Sequence, residues 1–197
     1  MNLLTTEEIP AYEAARKAEQ EARDLAFCDW PVPLCGLEVK QFTYLHLLVL
    51  GNCGNAFVEG GEPTVEDVAF FLWVVSPEYR PNCEAKRNEF IEAIAERVQF
   101  MASCREIYEY LDAAFMDSPG GSGAPGKSYT SFVAPICDIF AHEYGWDDQV
   151  TLNKPVARLN QLLRRIRVRR NPKAIQFNRS DRILSQAMAR MMQQGTN

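Results

Sequence analysis

The chain has 197 residues, of which 47% are hydrophobic, and a formal net charge of -5. This length and hydrophobic share are enough for a packed core, which excludes a disordered chain. No stretch approaches the roughly 18 to 20 uninterrupted apolar residues that span a bilayer, and the first residues lack a basic segment followed by an apolar one, so neither a membrane protein nor secretion is indicated.

The first quarter of the chain is predicted to contain a surface helix, a loop and a buried segment. A capping-box spacing precedes residues 11–27, which are rich in Ala, Glu and Arg, so a helix is expected there. Residues 29–36 contain Pro31 and Pro33, whose missing amide donors interrupt a helix, and they are predicted to form a loop. Residues 41–50 are strongly apolar and fit a short buried helix or a buried strand; we favour the helix.

Two further helices are predicted before the middle of the chain. Thr64 has the chemistry of an N-cap for an apolar helix over residues 65–75, which Ser76 and Pro77 should end. Asn82 is placed to cap a long amphipathic helix that runs to Asp117, because apolar residues recur there at steps of three and four. This is the clearest amphipathic pattern in the chain.

Residues 118–128 are rich in glycine and predict a flexible linker. Within them, residues 121–128 match the phosphate-binding pattern GxxxxGK[ST] letter for letter. That loop requires a buried strand directly before its first glycine, whereas residues 107–116 complete a helical pattern, and Pro125 removes one amide from the phosphate cradle. A linker is therefore the preferred interpretation, and nucleotide binding is the alternative.

After the linker, three helices are predicted. The first covers residues 129–144, with Pro135 at a kink or in the first turn and Gly145 at its end. The second begins near Pro155 and places apolar residues on one stripe as far as Arg170. The third covers residues 181–192.

The charge is distributed unevenly along the chain. Residues 1–153 hold 10 Lys and Arg against 25 Asp and Glu, a balance of -15, whereas residues 154–197 hold 11 against one, a balance of +10. A basic C-terminal region on an acidic body suits an anionic partner, a nucleic acid among them, or docking of the region on its own body. Nucleic acid is the less favoured partner because no aromatic side chains are interleaved with the arginines.

No catalytic or metal-binding pattern is recognisable. The six cysteines form no CxxC pair and are interpreted as reduced core thiols, and His46 and His142 are too far apart in sequence to suggest a triad or a histidine-rich metal centre. His46 lies in an apolar run and is expected to be a hydrogen-bonded core residue. We therefore predict a protein that is not an enzyme and needs no cofactor or metal.

The aromatic residues leave one question open. Tryptophan and tyrosine often anchor protein interfaces, and the sequence does not separate that role from a place in the core. The residues concerned are Trp30, Phe70, Phe71, Trp73, Tyr79, Tyr144 and Trp146.

Three stretches together resemble a known family. They are LCGLEV, FTYL and FVEGGEP within residues 34–63, VAFFLWVVSP at residues 68–77, and YGW at residues 144–146 followed by NKPVARL at residues 153–159. They are similar to late-gene proteins of long-tailed bacteriophages and prophages, and the last stretch is similar to tail assembly chaperones. The resemblance implies a helical protein of the host cytoplasm that binds the tape measure protein, keeps it soluble and helps tail tube subunits gather around it.

The expected fold class is all-α, with a helical body over residues 1–117, a glycine-rich linker over residues 118–128 and a smaller basic helical region over residues 129–197. A virion structural protein such as a head-tail connector, or a nucleic-acid-binding accessory protein with a basic tail, remains an alternative function. We expect apolar residues and arginines of the C-terminal region to contact the partner. These residues are Trp146, Leu159, Leu162, Arg165, Ile166 and Arg169.

Overall fold

The computed structural model describes residues 4–5, 8–97, 99–116, 131–173, 181 and 186. These residues are mostly helical, which confirms the all-α class, and they include one small antiparallel hairpin. The helices are α1 (Glu8–Leu25), α2 (Tyr44–Asn52), α3 (Ala56–Glu59), α4 (Val65–Val75), α5 (Glu84–Ala95), α6 (Phe100–Ala114), α7 (Ala134–Tyr144), α8 (Asp148–Asn153) and α9 (Val156–Arg170); the strands are β1 (Val32–Leu34) and β2 (Leu37–Val39).

Helix α4 is the centre of the core. It begins at a capping box, in which the Thr64 hydroxyl accepts the Asp67 amide at 3.1 Å and the Asp67 carboxylate accepts the Thr64 amide at 2.9 Å. It ends before Ser76, as the sequence predicts. Apart from Phe70, every residue from 68 to 75 is buried, and α4 contacts α2, α3, α5 and α6. Each large apolar side chain buried here contributes about 1.5–3 kcal/mol, which makes α4 the main source of core stability.

The predicted long helix after Asn82 is wrong in two respects. It is divided into α5 and α6, which are separated at residues 96–99, and both pack on α4. An unbroken helix of this length would be roughly 50 Å long and would carry part of its apolar stripe beyond the core. Asn82 does not cap α5 either: its φ is 62°, and the N-cap is Cys83, which makes no side-chain capping bond.

The hairpin occupies most of the segment predicted as a loop. Val32 pairs with Val39 and Leu34 with Leu37, and Cys35 and the following glycine have φ of 50° and 74°, as a two-residue type I′ turn requires. Short edge strands tolerate proline, so the prolines do not prevent pairing. Leu34 and Val39 turn inward and extend the core.

The helices beyond the predicted linker join the same core. Val133, Phe140, Val156 and Leu159 belong to one cluster of buried residues with α4. Helix α7 begins at Ala134, later than the predicted start at residue 129, and residues 131–133 before it are not helical. Its proline is in the first turn, one of the two predicted alternatives, and it ends at Gly145, whose φ is 66°, as predicted. Helix α8 was not predicted.

The α8–α9 connection also bonds to the body. The Val156 amide donates to the Phe42 carbonyl at 2.8 Å, which joins the start of α9 to the segment before α2. The predicted linker with its phosphate-loop match, residues 118–128, lies outside the described residues, as does most of the predicted helix over residues 181–192.

Candidate partner-binding cleft

A cleft of about 420 Å³ opens where four connections of the fold meet, and we name it the Trp30 cleft. The connections are α1–β1, β2–α2 with the first turn of α2, α4–α5 and α8–α9. Its lining residues are Asp29, Trp30, Pro31, Lys40, Gln41, Thr43, Leu45, His46, Pro77, Tyr79, Asn153 and Pro155. A volume of this size and a largely apolar lining are typical of binding sites.

Trp30 is the most exposed aromatic side chain at the cleft, with 66% of its surface accessible. The loop that carries it is nevertheless fastened to the body by Gln41. The Gln41 side-chain amide donates to the carbonyl of Leu25 at 2.9 Å and to the carbonyls of Cys28 and Trp30 at 2.5 and 3.4 Å. Because the loop is already ordered, little conformational entropy is lost when a partner binds the exposed indole.

Phe27, close to Trp30 in the chain, is also exposed, by 46%. The guanidinium of Arg158 lies 5.1 Å from the centre of its ring, within the range of a cation–π contact. Helix α9 thereby covers part of the apolar surface at the end of α1.

His46 forms an inner wall of the cleft and is 4% exposed. Its Nδ1 accepts the Thr43 amide at 3.3 Å, while the Thr43 hydroxyl accepts the His46 amide at 3.2 Å, so the two residues form the capping box of α2. Burial, with a smaller effect of the nearby Lys40 charge, lowers the pKa of His46 to about 4. The imidazole is therefore neutral near pH 7, and the prediction of a hydrogen-bonded core histidine is confirmed.

Lys40 brings positive charge to the cleft, and Arg80 lies near enough for its charge to act on Lys40. The backbone of Lys40 is held from two sides, because its amide donates to the Val75 carbonyl at 2.9 Å and its carbonyl accepts the Tyr110 hydroxyl at 2.5 Å. Partial burial, and then the charge of Arg80, lower the pKa of Lys40. The Arg80 guanidinium donates to the backbone carbonyls of Pro77 and Tyr79, at 3.2 and 2.8 Å.

Two residues predicted to contact a partner lie in the core instead. Leu159 is fully buried and Ile166 is 5% exposed, so both stabilise the packing of α9 and are closed to a partner. Leu162 is partly buried against the same core. Trp146 is half-buried and stacks on Phe140 with ring centres 5.4 Å apart. The apolar stripe of α9 is thus used within the chain.

The two arginines of the predicted contact surface differ. Arg165 is exposed, whereas Arg169 donates to the Glu143 carboxylate at 3.0 Å and Arg170 binds the other oxygen of the same carboxylate. The hydrogen bond from Arg170 is the main cause of a lowered pKa of Glu143. Part of the basic charge of the C-terminal region therefore pairs with an acid of α7.

Comparisons with protein-family models, with curated proteins and with solved structures gave no match to this chain.

The cysteines only partly follow the sequence prediction. All six are free thiols, but Cys137 alone is buried, four are partly exposed and Cys53 is exposed. No group of three His, Cys, Asp or Glu side chains in the described part of the chain is arranged to hold a metal ion, and none of its helices is long and apolar enough to cross a membrane.

Sequence reasoning did not foresee the cleft itself. Trp30 and Tyr79 are among the aromatics whose place the sequence leaves open, but nothing in it indicates that they meet Lys40 and Gln41 at one surface. The available signal was a tryptophan next to proline in a segment without helical periodicity.

Proposed function

We propose that the protein is a non-enzymatic tail assembly chaperone of a long-tailed phage, and that the Trp30 cleft binds the tape measure protein. In the host cytoplasm it keeps that protein soluble while tail tube subunits gather around it. The observation that carries the proposal is the 66% exposure of Trp30 at the mouth of an apolar cleft. Tryptophan is among the residues enriched at the positions that dominate the energy of protein interfaces.

The resemblance to tail assembly chaperones and the position of the cleft support each other. Each of the three stretches that carry the resemblance supplies lining residues: Thr43 and Leu45 come from the first, Pro77 from the second, and Asn153 and Pro155 from the third. If the cleft is the binding surface, all three stretches contribute to binding of the same partner.

The test is co-expression with the tape measure protein encoded by the same genome, followed by a pull-down at moderate salt. The wild-type chain should keep the tape measure protein soluble and co-purify with it, and Trp30→Ala should lose most of this binding. Truncation of an interface tryptophan typically costs about 2 kcal/mol or more, which is roughly a thirtyfold loss of affinity.

Phe132→Ala is the matched control, because Phe132 is 54% exposed and does not line the cleft. Both variants should unfold at temperatures close to that of the wild type. Equal capture by the two variants would reject the cleft as the site, and failure of the wild type to bind would reject the chaperone function.

The same purified protein tests the two alternative functions. A head-tail connector should sediment as a ring and remain in purified particles. A nucleic-acid-binding protein should shift duplex DNA in a salt-sensitive manner, and Arg165→Gln should weaken this shift. Either result, without binding of the tape measure protein, would replace the chaperone proposal.

A further inference from the structure

A second, smaller pocket shares a lining residue with the Trp30 cleft. This pocket has a volume of about 160 Å³, and Tyr79 lines both cavities. The Tyr79 ring is held edge-on against the buried Trp73, with ring centres 5.9 Å apart. Tyr79 thus forms a ridge with one cavity on each side, which is a shape that can take two neighbouring side chains of one bound segment.

Two cations lie at this ridge without a carboxylate partner. Lys40 lines the larger cavity and Arg80 the smaller one, and neither forms an ion pair within the described residues. Acids are abundant elsewhere, with 25 Asp and Glu against 10 Lys and Arg in residues 1–153. Two like charges that are placed close together repel each other, and an anionic ligand between them lowers that cost.

We infer that the Trp30 cleft and the pocket beyond Tyr79 form one docking surface for an acidic segment of a partner protein. The segment places a carboxylate beside Lys40 and Arg80, and apolar side chains against Trp30 and Tyr79. This inference rests on the proposed function only in that the occupant of the cleft is a protein.

The charges around the surface set the orientation of the bound segment. Asp29 is the one carboxylate among the described residues that line the larger cavity, and it directly precedes Trp30 in the chain. The smaller pocket is lined by Glu84 and Arg87 as well as Arg80, so the described lining of the two cavities together carries three cations and two carboxylates. Asp29 and Glu84 repel an anionic ligand, so the partner's carboxylate belongs next to Lys40 and Arg80. His46 is neutral and adds no charge near pH 7.

The test is selection of binders from an mRNA-displayed library of random peptides on the full-length protein. Selected peptides should be enriched in Asp and Glu next to apolar residues, and their binding should require Trp30. For a selected peptide, the variant Lys40→Gln with Arg80→Gln should bind at least about tenfold more weakly. Asp29→Asn should bind as tightly or more tightly.

Lys17→Gln with Arg105→Gln is the matched control, since it removes the same charge from two exposed residues that do not line the cleft. It should leave affinity unchanged. Selected peptides without acidic enrichment, or equal affinity of the two double variants, would overturn the inference.

The experiments distinguish failure of this inference from failure of the proposed function. If acidic peptides bind at Trp30 but the tape measure protein does not, the acidic docking surface stands and the chaperone function fails. If the tape measure protein binds through Trp30 with the same affinity after removal of the Lys40 and Arg80 charges, the chaperone function stands and the acidic docking surface fails.

Discussion

His46 should make the stability of this protein fall in mildly acidic solution. Its pKa is about 4 in the folded protein against 6.5 for an unperturbed histidine. As the pH falls below about 6.5, the unfolded chain takes up a proton that the folded protein refuses until about pH 4. The contribution of the neutral imidazole is thus complete above pH 6.5 and is lost as the pH falls from there towards 4.

The size of this effect follows from the two pKa values. Their difference, 6.5 minus about 4, is about 2.5, which corresponds to about 3 kcal/mol at the acid limit. Between about pH 7.5 and pH 5 the expected loss is about 2 kcal/mol. For a chain of this length, that lowers the melting temperature by roughly 4–8 °C.

His46→Gln provides the matched control, because glutamine at this position can still accept the Thr43 amide in a capping box but does not titrate. Urea denaturation of both proteins between pH 7.5 and pH 5 measures how steeply the free energy of unfolding of each protein changes with pH. The carboxylates and His142 are present in both proteins, so their contributions to the pH dependence cancel in the comparison. If the wild type and His46→Gln lost stability in parallel over this range, His46 would not be a neutral buried group and the explanation would be wrong.

Three further substitutions test local features of the structure, each by urea denaturation. Asn160 is fully buried and neither of its side-chain polar atoms has a hydrogen-bond partner among the described residues, so Asn160→Leu should stabilise the fold by about 1 kcal/mol or more. A loss of stability would show that the amide has a hydrogen-bond partner. Cys35 occupies the first position of the type I′ turn, where a positive φ favours asparagine. Cys35→Asn should therefore stabilise the fold by about 0.5 kcal/mol, whereas Cys35→Ala should not. The reverse order would contradict the turn assignment. Gly145→Ala meets no atom within 4 Å at its new Cβ but retains φ of 66°, so it should cost about 1 kcal/mol through backbone strain alone; no cost would mean that α7 ends differently.

The parts of the fold that the sequence predicts best are those specified by neighbouring residues. The start and end of α4 depend on Thr64, Asp67 and the Ser-Pro step, all within a few residues of the helix. The end of α7 depends on one glycine with positive φ. Capping and chain reversal are local, so a single sequence contains the information.

The errors occur where contacts with distant parts of the chain determine the local structure. A continuous amphipathic pattern does not show that the core is too short for one helix, and so the division into α5 and α6 was missed. The hairpin was missed because Pro31 and Pro33 suggest a loop, while the burial of Leu34 and Val39 that stabilises it comes from packing on the rest of the core. The Trp30 cleft belongs to the same group, since its lining residues come from four separate connections.

Helix α9 shows why periodicity alone is a poor guide to a binding surface. Its apolar stripe predicts correctly which side chains leave water, but it does not say whether a partner or the chain's own core covers them. Here Leu159 and Ile166 are buried in the core, and Arg169 and Arg170 form ion pairs with Glu143. Most of the surface expected to contact a partner is therefore in contact with the rest of the chain. Trp30 has no periodic pattern around it, yet the fold leaves 66% of it exposed beside a cleft. Because burial of an exposed indole by a partner lowers the free energy, an exposed aromatic residue that also lines a cleft is a better candidate for binding than the residues that the pattern identifies.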